Sequence, residues 1–139
     1  MYQGKTGNNQ LHSLENKVDK ILAMKSLTEE EIKSLLDDIR SYADLYGSKK
    51  KLNTSQLRNV FSKVLHVNEA TEPSTVVVQL QLIRPKLMYV AARQQNRDAK
   101  RIIEFFEKII TEVKNVEQVQ NFKIFMEAFV AYHKYLETN

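Results

Sequence analysis

Few residues in this chain can interrupt a helix: 139 residues include only 3 Gly and 2 Pro. A fold of many short strands needs a turn about every 8–12 residues, and Gly and Pro usually supply those turns. The long stretches between them are rich in Leu, Lys, Glu, Gln and Ala, which lose little rotamer freedom in a helix. The chain reads as all-α. It is expected to form a single compact bundle of five or six helices over residues 10–139, after a disordered polar tail at residues 1–9.

Spacing and capping residues place the helices. Leu11, Leu14, Val18, Ile21 and Leu22 recur at helical intervals and predict a first amphipathic helix. Thr28 with Glu31 forms a capping box, which predicts the start of the next. Its buried face is Ile32, Leu35, Leu36, Ile39, Ala43 and Tyr46, and Gly47 is a natural stop through a positive φ. Thr54 is the expected N-cap of a helix whose apolar stripe is Leu57, Val60, Phe61, Val64 and Leu65. A further helix is expected from Ser74 or Thr75. The run Val76-Val77-Val78 is too short, and too lacking in a partner, to be a strand. Pro85 should kink or break that helix. A wide stripe from Ile102 to Val113 predicts a central helix, and a last one runs from about Val116 to Leu136.

Charge is unevenly spread. Residues 1–48 carry six Lys/Arg and eight Asp/Glu, residues 49–101 carry eleven and three, and residues 102–139 carry four and six. The total of +4 therefore conceals one basic third between two acidic flanks. Such a patch attracts polyanions and meets phosphates without reading sequence. If the helix after Pro85 is regular, Lys86, Arg93, Arg97 and Lys100 share one narrow face. At about 1.5 Å per residue, that stripe is roughly 21 Å long. Lys49, Lys50, Lys51 and Arg58 form a second basic group. A solvated Lys/Arg-rich helix face fits the same pattern. Tyr46, Tyr89, Tyr132 and Tyr135 could stack on bases, Tyr89 foremost, although core packing suits most of them.

The residues argue against catalysis. The absence of cysteine excludes disulfides, thiolate metal sites and a cysteine nucleophile. His12, His66 and His133 stand apart from one another and from any carboxylate cluster at ligand spacing, and His133 fits a satisfied core or interface histidine. Asp37 and Asp38 are adjacent and so point to different sides of a helix. No Gly-rich phosphate loop is present. Neither catalytic residue, metal nor cofactor is expected. No apolar run approaches the roughly 18 residues of a membrane span, and the N-terminus lacks the apolar stretch of a signal peptide. Cytoplasmic residence without membrane contact is the expectation.

Three segments, in order, resemble a known family. They are Lys51-Leu52-Asn53-Thr54-Ser55-Gln56-Leu57-Arg58, the stretch Arg84-Pro85-Lys86-Leu87-Met88-Tyr89-Val90-Ala91-Ala92-Arg93, and Phe125-Met126-Glu127-Ala128-Phe129-Val130-Ala131-Tyr132-His133-Lys134-Tyr135. Together they look like the Csm-type small subunit of type III-A CRISPR effector complexes, over roughly residues 49–136; the first 27 residues resemble nothing. The resemblance implies a small all-helical, non-catalytic subunit of an antiviral ribonucleoprotein. Several copies would self-associate in a filament, beside a repeated backbone subunit and a large polymerase-like subunit. They would contact the backbones of guide RNA and target RNA independently of sequence. By position the resemblance carries over Lys51, Arg58, Lys86 and Arg93 as RNA-binding. Local charge extends that set to Lys49, Lys50, Arg84, Arg97, Lys100 and Arg101. The family often has Gly where this chain has Ala92, and Ala favours an unbroken helix into residues 97–101.

Two other readings compete. The bundle could be a protein–protein adaptor whose basic patch meets an acidic partner. It could also be a helix-turn-helix regulator with residues 54–67 as its recognition helix, but the connection at residues 47–53 is longer than the usual three or four residues.

Overall fold

The computed structural model of the chain describes residues 11–138. Among these residues there are six helices: α1 (Glu29–Gly47), α2 (Thr54–Leu65), α3 (Pro73–Gln81), α4 (Arg84–Ala92), α5 (Arg97–Thr111) and α6 (Val116–Glu137). No strand occurs among the described residues, and the Val76–Val78 run is helical. The tail expected at residues 1–9 lies outside them.

Helix α6 packs against α1, α2 and α3, while α5 packs against α4, α1 and α3. Both owe this central position to their apolar faces. In α5, Ile102, Ile103, Phe105, Phe106, Ile109 and Ile110 are buried, and in α6, Phe122, Phe125, Met126 and Phe129 are fully buried. Their rings meet edge-on: Phe106 lies 5.1 Å from Phe129, and Phe105 lies 5.3 Å from Tyr42 of α1. Each such pair contributes about 0.5–1.5 kcal/mol beyond its buried area.

The expected first helix is a correction. Residues 13–26 form three single turns, Ser13–Asn16, Val18–Ile21 and Met24–Ser26, with non-helical backbone at Lys17 and Ala23. Buried Asn121 of α6 makes the interruption affordable. Its carboxamide oxygen accepts from the Lys25 N–H at 2.9 Å, and its NH2 donates to the Leu22 carbonyl at 2.7 Å. Leu14, Ile21, Leu22 and Met24 still reach the core. Tertiary polar contacts thus replace the helical hydrogen bonds that apolar spacing alone would predict.

The Thr28–Glu31 capping box forms as expected, with Thr28 N–H donating to Glu31 at 3.0 Å and Glu31 N–H to Thr28 Oγ1 at 3.2 Å. Gly47 does not act through a positive φ: it is the last residue of α1 and lies outside the left-handed region. It is needed for close approach. A Cβ there would lie 3.2 Å from His133 Cδ2 and 3.2 Å from Ile102 Cδ1. The positive φ values fall two and three residues later, on Lys49 (59°) and Lys50 (64°). The cap of α2 is Asn53 rather than Thr54, because the Asn53 side chain accepts from the Gln56 N–H at 3.0 Å.

Pro85 breaks the chain as expected: α3 stops at Gln81, and Pro85 sits in the first turn of α4, where a missing N–H costs little. The continuity assumed past Ala92 is a second correction. Helix α4 ends there, and Asn96 begins a new helix by accepting from the N–H groups of Asp98 (2.8 Å) and Ala99 (3.2 Å). Asn in the capping position outweighs the helix preference of Ala92.

Candidate nucleic-acid interface

The break at residues 93–96 splits the expected stripe: Lys86 belongs to α4 and Arg93 caps its end, while Arg97 and Lys100 belong to α5. Nine of the ten basic residues expected to form the site fall into three groups, and Arg58 stands apart.

Three of them are engaged within the fold. Lys51 Nζ lies 3.0 Å from Asp98 and donates to the Leu45 carbonyl at 2.8 Å. Arg84 Nε lies 2.8 Å from Glu107. Arg101 grips Glu15 with two nitrogens, at 2.9 and 2.6 Å, and its guanidinium lies 4.4 Å from the centre of the Tyr46 ring. Glu15 also accepts from the Tyr42 hydroxyl at 2.8 Å and the His12 N–H at 2.9 Å. Burial by itself would raise the Glu15 carboxyl; the Arg101 guanidinium, the His12 N–H and the Tyr42 hydroxyl outweigh it and hold the carboxyl below its usual range. Burial and the Glu15 charge push the Tyr42 hydroxyl well above an ordinary phenol, so it stays a donor.

A second group comprises Lys49, Lys50, Arg97 and Lys100. The Lys51–Asp98 contact brings Lys51 of the loop at residues 48–53 to the first turn of α5, and the Lys50 backbone N–H donates to Glu137 of α6 at 3.4 Å. All four are exposed, and none has an ion pair among the described residues. Arg97 and Lys100 lie at the positive end of the α5 dipole, so they do not serve helix stability. Two consecutive lysines with positive φ cost roughly 1–2 kcal/mol each. Arg58 is exposed on α2, away from the groove described next.

The third group lines a groove of about 460 Å3 between α2 and α4. Lys86 and Arg93 enter it from α4, and Lys63, Gln56 and Asn59 from α2. Tyr89 stands in it with 64% of its surface exposed. The Arg93 guanidinium lies 5.5 Å from the Tyr89 ring centre and donates to its hydroxyl at 3.0 Å. A second hollow of about 250 Å3 shares Lys63 and Lys86 and continues toward His66 and Gln79. Sequence reasoning overlooked Lys63. The signal was present: Gln56, Asn59 and Lys63 are spaced i, i+3 and i+7 and so form one polar helix face.

His133 is buried, and its Nε2–H donates to the Gly47 carbonyl at 3.0 Å, which fixes the tautomer; Nδ1 has no partner among the described residues. Among the described residues no group of three or more His, Asp or Glu could hold a metal ion. No helix among them is long and apolar enough to cross a membrane.

A family model described as Csm2 Type III-A matches residues 29–139. No curated protein and no solved structure matches the chain significantly. The matched span takes in α1 to α6 and every groove residue, and it leaves out the three turns clamped by Asn121 and Arg101. The chain belongs to the Csm2 family, the small subunit of type III-A CRISPR complexes.

Proposed function

We propose that the chain is a non-catalytic subunit that grips guide and target RNA by their backbones without reading sequence, in copies stacked along an RNA-guided filament. The observation that carries this is the convergence of Lys63, Lys86 and Arg93 on one groove, where none of the three has an ion pair among the described residues. Other cations of the basic third, Lys51, Arg84 and Arg101, meet carboxylates and hold parts of the fold together. The remainder suit phosphates, presented from rigid helices that hold their spacing. Exposed acids on α1, among them Glu29, Glu30, Asp37 and Asp44, would repel RNA from the other side and turn it toward the groove. In this reading the repeated backbone subunit and the large polymerase-like subunit are the protein partners, and cleavage is theirs.

Binding of two unrelated RNA duplexes, followed by fluorescence anisotropy across a salt series, tests the reading. Arg93→Ala should weaken both duplexes alike and reduce the salt slope by about one. A loss confined to one sequence would contradict it.

A further inference from the structure

We infer that the groove between α2 and α4 takes one unpaired nucleotide, its base laid against the Tyr89 ring and its phosphates on Lys63, Lys86 and Arg93. This rests on the reading of the chain as an RNA-binding subunit and adds a ligand geometry that backbone contact does not require.

Four observations favour it. A track for phosphates need only be a charged surface, whereas this is a hollow of about 460 Å3, within the range of roughly 300–1,000 Å3 typical of small-ligand pockets. Its walls include Pro85, Val90 and the Tyr89 ring, which offer a phosphate nothing and offer a base face much. Tyr89 is poised rather than packed: its ring is mostly in solvent, while Arg93 holds its hydroxyl at 3.0 Å. The α2 wall supplies Gln56 and Asn59, whose amides both donate and accept and so can meet the edge of any base. The Asn59 amide has no partner among the described residues, and Gln56 uses only its oxygen, accepting from Gln94 at 2.8 Å. Three cations around the pocket select an anionic ligand. In a paired A-form duplex the bases are stacked away from such a wall, so only an unpaired one can enter.

The test uses the full chain and three fluorescent RNAs: a short flush duplex, the same duplex with one bulged adenosine, and the same bulge without its base. The bulged duplex should bind roughly tenfold tighter than the other two. Tyr89→Ala should erase the difference between the bulged and flush duplexes, while Tyr89→Phe should keep it. Circular dichroism would establish that both variants fold, as an exposed side chain permits. Equal affinity for all three RNAs would overturn the pocket and leave the backbone reading standing. The same holds if Tyr89→Ala weakens flush and bulged duplexes equally. Failure to bind any of the three would overturn both.

Discussion

Arg101 lies in the most basic third of the chain, yet the structure gives it a structural task, and substitution separates the two roles. Arg101→Met removes the charge and keeps an apolar stem over Tyr46. Glu15, only 8% exposed, would lose both bonds to the guanidinium and keep those from Tyr42 and His12. Breaking a buried pair from one side costs about 3–5 kcal/mol. The Arg101 side chain retains 28% exposure and Glu15 keeps two donors, which reduces the expected loss to about 2–3 kcal/mol. In a chain of this length that lowers Tm by about 5–10 °C. The loss should depend on pH. The Glu15 carboxyl is held below its ordinary 4.5 in the folded state, so its contribution is present above that value and disappears as pH falls below it. The gap between wild type and variant should therefore narrow in acid. Urea unfolding at neutral and acidic pH reads the stability, and anisotropy on the folded variant reads RNA affinity, which should hold. Wild-type stability together with a fall in RNA affinity would refute the reasoning and return Arg101 to the interface.

Asn121→Leu keeps the volume but strands the Lys25 N–H and the Leu22 carbonyl; it should cost about 2–3 kcal/mol, and hydrogen exchange should accelerate first in residues 13–26. Gly47→Ala gains about 1 kcal/mol in helix preference but forces a methyl to 3.2 Å from His133 and Ile102. The His133 ring is tied to the Gly47 carbonyl and stacked on Phe129, and Ile102 is fully buried, so neither can retreat. Overpacking should win by about 1 kcal/mol, measured by thermal unfolding.

Where local chemistry decides the outcome, the sequence was legible. The Thr28–Glu31 box, the stripe from Ile102 to Ile110 and the run of Phe in α6 each announce a helix that the structure contains. The turns before Thr28 were illegible because their deciding partner, Asn121, lies 96 residues beyond Lys25. The basic set was legible as a composition but not as a surface. Lys51, Arg84 and Arg101 find their acids 47, 23 and 86 residues away, and spacing along one helix reveals none of those pairings. The split stripe is different. Asn96 ahead of Arg97 and Asp98 was a capping signal in plain view, overlooked because the preceding Ala92 favoured continuity.

The clamp on the leading turns also has a consequence in time. A chain made from its N-terminus at roughly 5–20 residues per second completes Lys25 long before Asn121. The 96 residues between them take about 5–20 s to add. During that interval the turn at Leu14 and Glu15 can already meet α1 through Tyr42, but the Leu22 carbonyl and the Lys25 N–H lack Asn121, and Glu15 has no guanidinium until Arg101 emerges. The leading turns thus complete their docking only when α6 emerges, and the molecule closes like a parcel whose flap is sealed by its final fold.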